Sequence, residues 1–299
     1  MYIPRWINYL YRRLPLRREL LVSLRELHVP GYELSQRLNF NGPFRVKAGE
    51  HSILLQNYDD HDHVIENQIF WYGLTGRWEK KSLEIWLELC KSATTIVDVG
   101  ANTGIYALAA QAVNPDASVF AFEPVDRIYS ELQQNVRLNS YPIRCLQYAL
   151  SNIDGTQTMY ERTDIHDYTA TLNRDFIENN FAGVKYQSTK LQTIKLATFI
   201  QQEHITSIDL MKIDVETHEY YVLQGMEEFL ESMKPAIIIE VLNDTVAQSL
   251  ETLLTNKGYL MFAIDEKAGL RRVESLRSGN PRNYLLCNST KAFSLGLIS

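Results

Sequence analysis

The chain has 299 residues, of which 45% are hydrophobic and 22% charged, and this composition is typical of a globular protein with a large core. Its 14 glycines and 9 prolines are too few for a collagen-like or low-complexity chain. The 36 acidic residues outnumber the 30 basic ones and give a net charge of −6, which disfavours binding to nucleic acid through phosphate contacts. We therefore expect no nucleic-acid partner.

Residues 1–78 are predicted to form an extension ahead of the main domain. Within residues 1–27, apolar residues such as Leu20 and Leu27 recur at helical spacing, and six arginines accompany only two glutamates. This pattern is compatible with an amphipathic helix that meets anionic lipid at a membrane surface, or that associates with a second copy of the chain. It is equally compatible with a helix docked on its own core. A β-hairpin is predicted to follow the helix.

Residues 79–299 are predicted to form one α/β domain, because helical and strand patterns alternate along them. The predicted strands cover residues 94–99, 117–122, 143–149, 208–213, 236–241, 259–264 and 283–288. The predicted helices cover residues 79–92, 103–113, 126–138, 196–203, 218–231 and 244–257. This order predicts a doubly wound, mostly parallel seven-stranded sheet with helices on both faces.

A glycine-bearing turn follows the first of these strands, at the edge where open α/β sheets bind their ligands. Its candidate cofactor-binding residues are Asp98, Gly100, Asn102, Thr103 and Gly104. The dinucleotide fingerprint requires glycine where Asn102 and Ile105 stand, which disfavours a nicotinamide-dependent oxidoreductase. The Asp98 carboxylate would repel pyrophosphate and attract an amine, and S-adenosylmethionine is a cofactor that meets this requirement.

Two further strand ends complete the predicted cofactor site. Glu123 follows the second strand, where it can accept both ribose hydroxyls, although it can also cap the next helix. Leu150 and Ser151 follow the third strand, where an adenine ring would lie. These three residues support a nucleoside ligand.

The chain resembles the FkbM-type methyltransferase family over roughly residues 79–290. The resemblance rests on Asp98-Val99-Gly100-Ala101-Asn102-Thr103-Gly104, Phe122-Glu123-Pro124, Ala149-Leu150-Ser151, Met211-Lys212-Ile213-Asp214-Val215-Glu216-Thr217-His218-Glu219 and Ile239-Glu240. It implies a class I methyltransferase fold with an antiparallel last strand, S-adenosylmethionine as cofactor and a hydroxyl acceptor. It also implies that Glu79 lies near the cofactor methyl group. The family usually has glycine where this chain has Thr217.

Candidate catalytic residues lie around the end of the fourth strand, facing the expected methyl group. A hydroxyl is a weak nucleophile and needs a base or a metal ion. In one hypothesis His218 is the base, and Asp214 or Glu219 orients its imidazole. In the other, Asp214 and Glu240 bind Mg²⁺ together with a neighbouring carboxylate, and the ion acidifies the hydroxyl.

A polar, aromatic-bearing stretch over residues 157–190 is a candidate insertion on the acceptor side, with a lid packed on the sheet as the alternative. We therefore predict an O-methyltransferase that acts on a hydroxyl of a glycan or of another small molecule, a secondary metabolite. A catalytically silent binding module on the same fold is the alternative.

The cysteines and the lengths of the apolar runs predict the cellular compartment of the protein. Cys90, Cys145 and Cys287 are far apart, lie in apolar stretches and show no zinc-ligand spacing, which predicts buried thiols in a reducing compartment. No run approaches the ~20 apolar residues that a membrane span needs. We expect a cytoplasmic protein, with peripheral membrane contact through residues 1–27 as one option.

Overall fold

The computed structural model describes residues 11, 13–59, 63–162, 170–174, 178 and 186–298. The extension contains helices α1 (Arg17–Leu27) and α2 (Tyr32–Ser35), strands β1 (Gly42–Ala48) and β2 (His51–Asn57), and helix α3 (Val64–Tyr72). Strands β1 and β2 form the predicted antiparallel hairpin.

The main domain contains the remaining elements. Its strands are β3 (Thr95–Val99), β4 (Ser118–Phe122), β5 (Arg144–Leu146), β6 (Ala149–Ser151), β7 (Gly155–Arg162), β8 (Ala170–Thr171), β9 (Tyr186–Lys195), β10 (Leu210–Ile213), β11 (Ala236–Glu240), β12 (Leu260–Asp265), β13 (Gly269–Val273) and β14 (Asn283–Cys287). Its helices are α4 (Lys80–Cys90), α5 (Ile105–Val113), α6 (Asp126–Asn139), α7 (Leu196–Gln202), α8 (Glu219–Gln224), α9 (Phe229–Met233), α10 (Asp244–Leu254) and α11 (Ser289–Ser294).

Eight strands form the central sheet, in the order β13-β12-β14-β11-β10-β3-β4-β5. Strands β11, β10, β3, β4 and β5 are parallel to their neighbours in this series, whereas β14 is antiparallel to both β11 and β12. The predicted mostly parallel sheet with an antiparallel last strand is therefore confirmed. Strand β13 pairs antiparallel with β12 and adds an eighth strand at the edge, which the sequence pattern did not predict.

Helices cover both faces of this sheet, so its strands are apolar throughout. Trp86 of α4 and Leu108 of α5 pack on one face, together with Phe70 of the extension. Phe199 of α7 and Val222 of α8 pack on the other face. Because the extension shares a hydrophobic cluster with the first face, the predicted boundary at residue 78 does not separate two cores.

Two predicted elements are divided in the structure. The strand predicted over 143–149 becomes β5 in the central sheet and β6 in a second sheet. The helix predicted over 218–231 becomes α8 and α9, with Gly225 at the end of α8. A Cβ at Gly225 would lie 2.0 Å from the carbonyl oxygen of Ser151, so this glycine allows α8 to contact β6 closely.

The second sheet has the order β6-β9-β7-β8 and occupies the region predicted as an acceptor-side insertion. Strand β6 is parallel to β9, and β7 is antiparallel to both β8 and β9. Residues 163–169, 175–177 and 179–185 of this region lie outside the described residues. Its role in acceptor binding stays a prediction.

Helix α1 turns two of its four leucines towards solvent. Leu21 is 4% exposed and Leu24 is partly buried against the core, whereas Leu20 and Leu27 are 56% and 85% exposed, as is Leu16 ahead of the helix at 71%. The sequence pattern placed these leucines on one apolar face, but in the structure they are divided between core and solvent.

The arginines of α1 face the protein instead. Arg18 donates to the carbonyl of Pro43 at 2.7 Å, and Arg25 donates to the carbonyl of Phe70 at 2.9 Å. These contacts satisfy guanidinium groups that the lipid hypothesis would direct towards a membrane, so α1 is docked on its own core. None of the helices among the described residues has the length and apolar character to cross a membrane.

Candidate active site

A cavity of about 250 Å³ opens at the carboxyl ends of β3, β4, β10 and β11. Among the predicted site residues, it is lined by Glu79, Asp98, Gly100, Asn102, Glu123, Leu150, Asp214, His218 and Glu240. Four other predicted site residues do not line it, namely Thr103, Gly104, Ser151 and Glu219. The cavity lies where ligands of open α/β sheets bind.

The turn after β3 needs glycine at Gly100 because the backbone of the neighbouring strand end comes very close. Gly100 has a φ of 75°, and a Cβ there would lie 1.9 Å from the carbonyl oxygen of Asp214. Its N–H and that of Ala101 both donate to the carbonyl of Phe122, at 3.0 and 2.9 Å. The turn is thereby fixed to both neighbouring strands.

The remaining N–H groups of the turn also have acceptors within the protein. Asn102 donates to Glu123 Oε2 at 3.1 Å, Thr103 to Asn102 Oδ1 at 2.7 Å, and Gly104 to the carbonyl of Ala101 at 2.8 Å. A pyrophosphate bound at such a turn needs free N–H donors. The turn as described offers none, which adds a structural reason to exclude a dinucleotide cofactor.

Asp98 caps the helix that follows the turn. Its Oδ2 accepts from the N–H of Ala107, in the first turn of α5, at 2.9 Å, and the residue is 1% exposed. Burial raises the pKa of Asp98 to about 7, although the charge of Lys212 on the neighbouring strand opposes the rise. One carboxylate oxygen of Asp98 therefore already has a partner within the protein.

Both carboxylate oxygens of Glu123 accept hydrogen bonds from backbone N–H groups. Its Oε1 accepts from the N–H of Val125, ahead of α6, at 2.9 Å, while Oε2 accepts from Asn102 on the turn. Burial raises the pKa of this carboxyl to about 7. The side chain still lines the cavity, so each oxygen keeps a lone pair for a ribose hydroxyl.

Thr103 and Gly104 do not line the cavity, so the structure gives no support to their prediction as cofactor contacts. Thr103 is 1% exposed, and its hydroxyl donates to Glu66 Oε1 at 2.5 Å. A Cβ at Gly104 would lie 2.6 Å from a methyl carbon of Leu132 on α6. Both residues hold the turn against its neighbours and do not face the cavity.

His218 does not have the properties of a base. Its Nε2 lies 3.0 Å from Ser151 Oγ, and its ring stacks on Tyr221 with 4.7 Å between centroids. Burial lowers the pKa of His218 to about 4, so the imidazole is neutral at pH 7 and takes up a proton poorly. This weighs against His218 as the base, although the residue lines the cavity, and its role stays a prediction. Ser151 is fully buried, contacts the imidazole and does not line the cavity.

Glu219 holds the loop between β10 and α8 through hydrogen bonds to the loop backbone. The side chain is fully buried, and its Oε1 accepts from the N–H groups of Val215 and Thr217, at 3.3 and 3.1 Å. Burial raises the pKa of Glu219 to about 7. These bonds go to the loop backbone, so the structure gives no support to the prediction that Glu219 orients an imidazole.

Carboxyl groups gather around one lysine at the β10 and β11 end of the cavity. Ligand oxygens of Asp214, Glu216 and Glu240 lie within 4.8 Å of one another. Lys212 is 1% exposed, and its Nζ donates to Asp214 Oδ2 at 3.0 Å. Burial opposes the charge of Lys212, but the carboxylates of Asp214, Glu79 and Glu240 outweigh burial and raise its pKa. Burial, followed by the charge of Asp214, raises the pKa of Glu240 well above its usual range.

A family model described as the Methyltransferase FkbM domain matches residues 98–261, which is more than half of the chain. The chain belongs to the FkbM methyltransferase family. It is 26% identical over 190 residues to methyltransferase sdnD of Sordaria araneosa, covering 55% of this chain and 73% of that protein.

Two other relatives of this FkbM methyltransferase have names that mention an acceptor. Hexuronic acid methyltransferase AglP of Haloferax volcanii is 26% identical over 165 residues, with 55% of this chain and 63% of AglP covered. The 31-O-demethyl-FK506 methyltransferase FkbM of Streptomyces tacrolimicus is 29% identical over 154 residues, with 44% of this chain and 59% of that protein covered. For these two relatives, the match spans about three fifths of their length.

Thr217 stands where the FkbM resemblance leads us to expect glycine, and the loop nevertheless has a left-handed backbone. Glu216 and Thr217 have φ values of 52° and 77°. Such values strain a β-branched residue. Two residues of the inserted region hold the loop: Thr171 Oγ1 donates to the carbonyl of Glu216 at 2.6 Å, and Asn173 Nδ2 donates to Thr217 Oγ1 at 3.1 Å. The loop therefore keeps the backbone conformation that glycine favours, although this chain has threonine at that position.

Two polar residues of the FkbM site were missed as site residues from the sequence. Lys212 lines the cavity, and so does Tyr106, whose hydroxyl donates to Glu79 Oε2 at 2.6 Å. A lysine inside the otherwise apolar strand β10 was a usable signal, because a buried ammonium needs a carboxylate partner. Tyr106 gave no such signal, since it reads as one more apolar position of α5.

Proposed function

We propose that this FkbM methyltransferase uses S-adenosylmethionine to methylate a hydroxyl group of a glycan or a secondary metabolite. The observation that carries the proposal is the excess of carboxyl groups in the lining of the cavity. Six carboxyl side chains line it against the ammonium of Lys212, counting the described residues. A donor with a sulfonium and an ammonium group matches such a lining, and an anionic dinucleotide does not.

The residues along the cavity suit the parts of this donor. Glu123 is placed to accept the ribose hydroxyls, and Leu150 offers an apolar surface to the adenine ring. Asp98 Oδ1 is placed to accept from the methionine ammonium group. When bound, the donor supplies a methyl group on a positively charged sulfur. The chain itself aligns the acceptor with that group and excludes water.

The carboxylates near Lys212 are the groups that can activate a hydroxyl. His218 is hydrogen-bonded to Ser151 and Glu219 does not line the cavity, whereas Asp214 lines it, so Asp214 is our candidate for accepting the hydroxyl proton. Lys212 holds one oxygen of Asp214 and stabilises its charge, while the other oxygen is left for the acceptor. One relative is named 31-O-demethyl-FK506 methyltransferase, and this name supports a hydroxyl as the acceptor.

Magnesium is the alternative means of activation. Asp214, Glu216 and Glu240 would hold the ion, since their oxygens lie within 4.8 Å of one another, and the ion would acidify the hydroxyl. Lys212 competes for this site, because its ammonium group already contacts Asp214. The structure thus favours activation by Asp214 without a metal.

Calorimetric titration with S-adenosylhomocysteine, in the presence of Mg²⁺ and then of chelator, tests the donor and the metal together. We expect binding in both conditions with the same affinity. Binding that is lost with the chelator would support the magnesium alternative, and no binding in either condition would refute the proposed donor. Binding without methyl transfer to any hydroxyl of a broad acceptor panel would identify a silent binding module.

We further propose a cytoplasmic protein that self-associates through the exposed leucines of α1 and the residues around them. Seven of the exposed large apolar side chains fall within residues 14–34. The exposed charges of residues 13–37 are two arginines and three glutamates, which gives no excess positive charge for anionic lipid. Light scattering should show a homo-oligomer that becomes monomeric in Leu16→Glu/Leu20→Glu. Co-sedimentation with anionic vesicles would instead support peripheral membrane contact.

A further inference from the structure

The extension reaches the turn after β3 through a buried glutamate. Glu66 of α3 is 1% exposed, and its Oε1 accepts from the hydroxyl of Thr103 at 2.5 Å. Its neighbour Ile65 lines the cavity itself. A residue of the extension therefore contacts the turn that carries Asn102 and Gly104, on the side opposite the cavity.

The same threonine is held at a second atom. Asn135 of α6 donates from Nδ2 to the carbonyl of Thr103 at 2.8 Å, and its Oδ1 accepts from the N–H of Gln56 in β2 at 2.8 Å. The side chain and the carbonyl of Thr103 are thus both connected to the extension, one to α3 directly and the other to β2 through Asn135.

The burial of Glu66 is unfavourable for the fold on its own. Its Oε2 is buried without a hydrogen-bond partner among the described residues, and burial raises the pKa of the carboxyl. A buried polar atom without a partner destabilises a protein by about 1–3 kcal/mol. An apolar side chain would fill this position at lower cost. The contact with Thr103 is what a carboxyl group supplies here and an apolar group cannot.

Thr103 is followed and preceded by residues that the donor site needs in a fixed conformation. Asn102 has a left-handed φ of 52°, which is uncommon outside glycine, and its N–H donates to Glu123. A turn that lost its hold on Thr103 would relax at Asn102 and release one oxygen of Glu123 from its oriented position.

We propose that Glu66 is a positioning residue for the methyl donor: through Thr103 it keeps Asn102 and Glu123 in place, and so the extension sets the affinity for S-adenosylmethionine. The inference rests on the proposed donor. It gives residues 1–78 a part in the cofactor site, although the family match covers residues 98–261 and does not reach the extension.

The test is calorimetric titration of the full chain with S-adenosylhomocysteine, with thermal unfolding recorded for every variant. We expect Glu66→Ala and Thr103→Val each to weaken binding about tenfold, as loss of a hydrogen bond to a charged group would. The double variant should bind no more weakly than either single one, because both remove the same contact. Glu66→Gln keeps an oxygen acceptor and should stay within threefold of wild type.

Asn67→Ala is the matched control. Asn67 is the next residue of α3, is 6% exposed, and donates to the carbonyl of Ser35, away from the turn. It should lower the melting temperature and leave the affinity unchanged. Affinity unchanged in Glu66→Ala, or additive losses in the double variant, would overturn the inference. If Glu66→Ala does not fold, Thr103→Val takes its place in the test. Wild-type affinity in Thr103→Val would then overturn the inference. Failure of the wild-type chain to bind would instead refute the proposed donor.

Discussion

The two ends of the cavity hold their carboxyl groups in different ways. At the donor end, Asp98 and Glu123 accept hydrogen bonds from backbone N–H groups of nearby turns and helix starts. At the acceptor end, Asp214 is held by the Lys212 ammonium group, and Glu79 is held by side chains from two distant elements. The first arrangement is built locally along the chain, whereas the second depends on the packing of several elements.

This difference predicts that the two ends of the cavity tolerate side-chain substitutions to different degrees. Backbone donors at the donor end remain in place when one side chain is replaced, so a substitution there removes one contact with the ligand. At the acceptor end, three carboxyl groups interact with the lysine, namely Asp214, Glu79 and Glu240, and each of them depends on it for compensation of charge. Removal of the lysine therefore affects the whole cluster, and its effect should be the largest.

Lys212→Met tests this dependence most strongly. Removing one member of a buried ion pair destabilises a protein by about 3–5 kcal/mol, because the partner charges stay buried. We expect a loss of this size in the free energy of unfolding, measured by urea denaturation. The control is Lys91→Met, since Lys91 is 61% exposed in its pair with Glu88, and it should change stability by less than about 1 kcal/mol. Equal effects of the two substitutions would show that the cluster does not depend on Lys212.

Glu123→Gln tests the donor end. The amide keeps one oxygen acceptor and loses the charge that would bind two ribose hydroxyls. Hydrogen bonds to charged groups contribute about 1.5–3 kcal/mol, so we expect the affinity for S-adenosylhomocysteine to fall roughly 10- to 100-fold. The exposed Glu228→Gln is the control with the same change in charge. An affinity within twofold of wild type would remove Glu123 from the donor site.

The same difference explains what the sequence could predict. Asp98 lies near the end of β3, Gly100 and Asn102 lie in the turn after it, and Glu123 follows β4. Strand ends of a parallel sheet meet at one edge whatever the rest of the chain does, so the place of these four residues beside the cavity could be predicted from spacing. Thr103 is one position further along the turn and points to the opposite side, which spacing alone does not show.

The acceptor end was harder to predict, because its geometry depends on tertiary contacts. The pattern placed His218 near the methyl group, but its contact with Ser151 of the second sheet and its burial depend on tertiary packing, and burial lowers its pKa. The left-handed conformation of Glu216, which brings its carboxyl to Asp214, is held by Thr171 of the inserted region. Neither contact leaves a periodic signal in the sequence.

The pH dependence of donor binding is a smaller effect that again separates the two ends. Burial raises the pKa of Asp98 and of Glu123 to about 7, and both must be ionised to bind the donor. The affinity for S-adenosylhomocysteine should therefore fall roughly tenfold or more as the pH is lowered from 8 to 6, and level off above pH 8. Glu123→Gln should make this dependence shallower. A flat profile in the wild-type protein would contradict the assignment.

The stability of the unliganded protein should change in the opposite direction. A carboxyl group with a raised pKa in the folded state binds a proton more tightly there than in the unfolded chain. For Glu123, whose pKa rises from 4.5 to about 7, this contribution to stability is complete below pH 4.5 and is lost as the pH rises to about 7. Chemical denaturation across this range should show a weaker decline in Glu123→Gln than in wild type.

The smallest expected effect concerns His218. Because burial lowers its pKa to about 4, the imidazole should remain neutral from pH 5 to pH 8. In carbon-edited NMR spectra of histidine-labelled protein, one ring signal should not move over this range, and that signal should be missing in His218→Gln. A base that removes a hydroxyl proton near neutral pH would show a midpoint between pH 6 and pH 8. Such a midpoint for the missing signal would restore His218 as the base and would leave Asp214 with the role of orienting it.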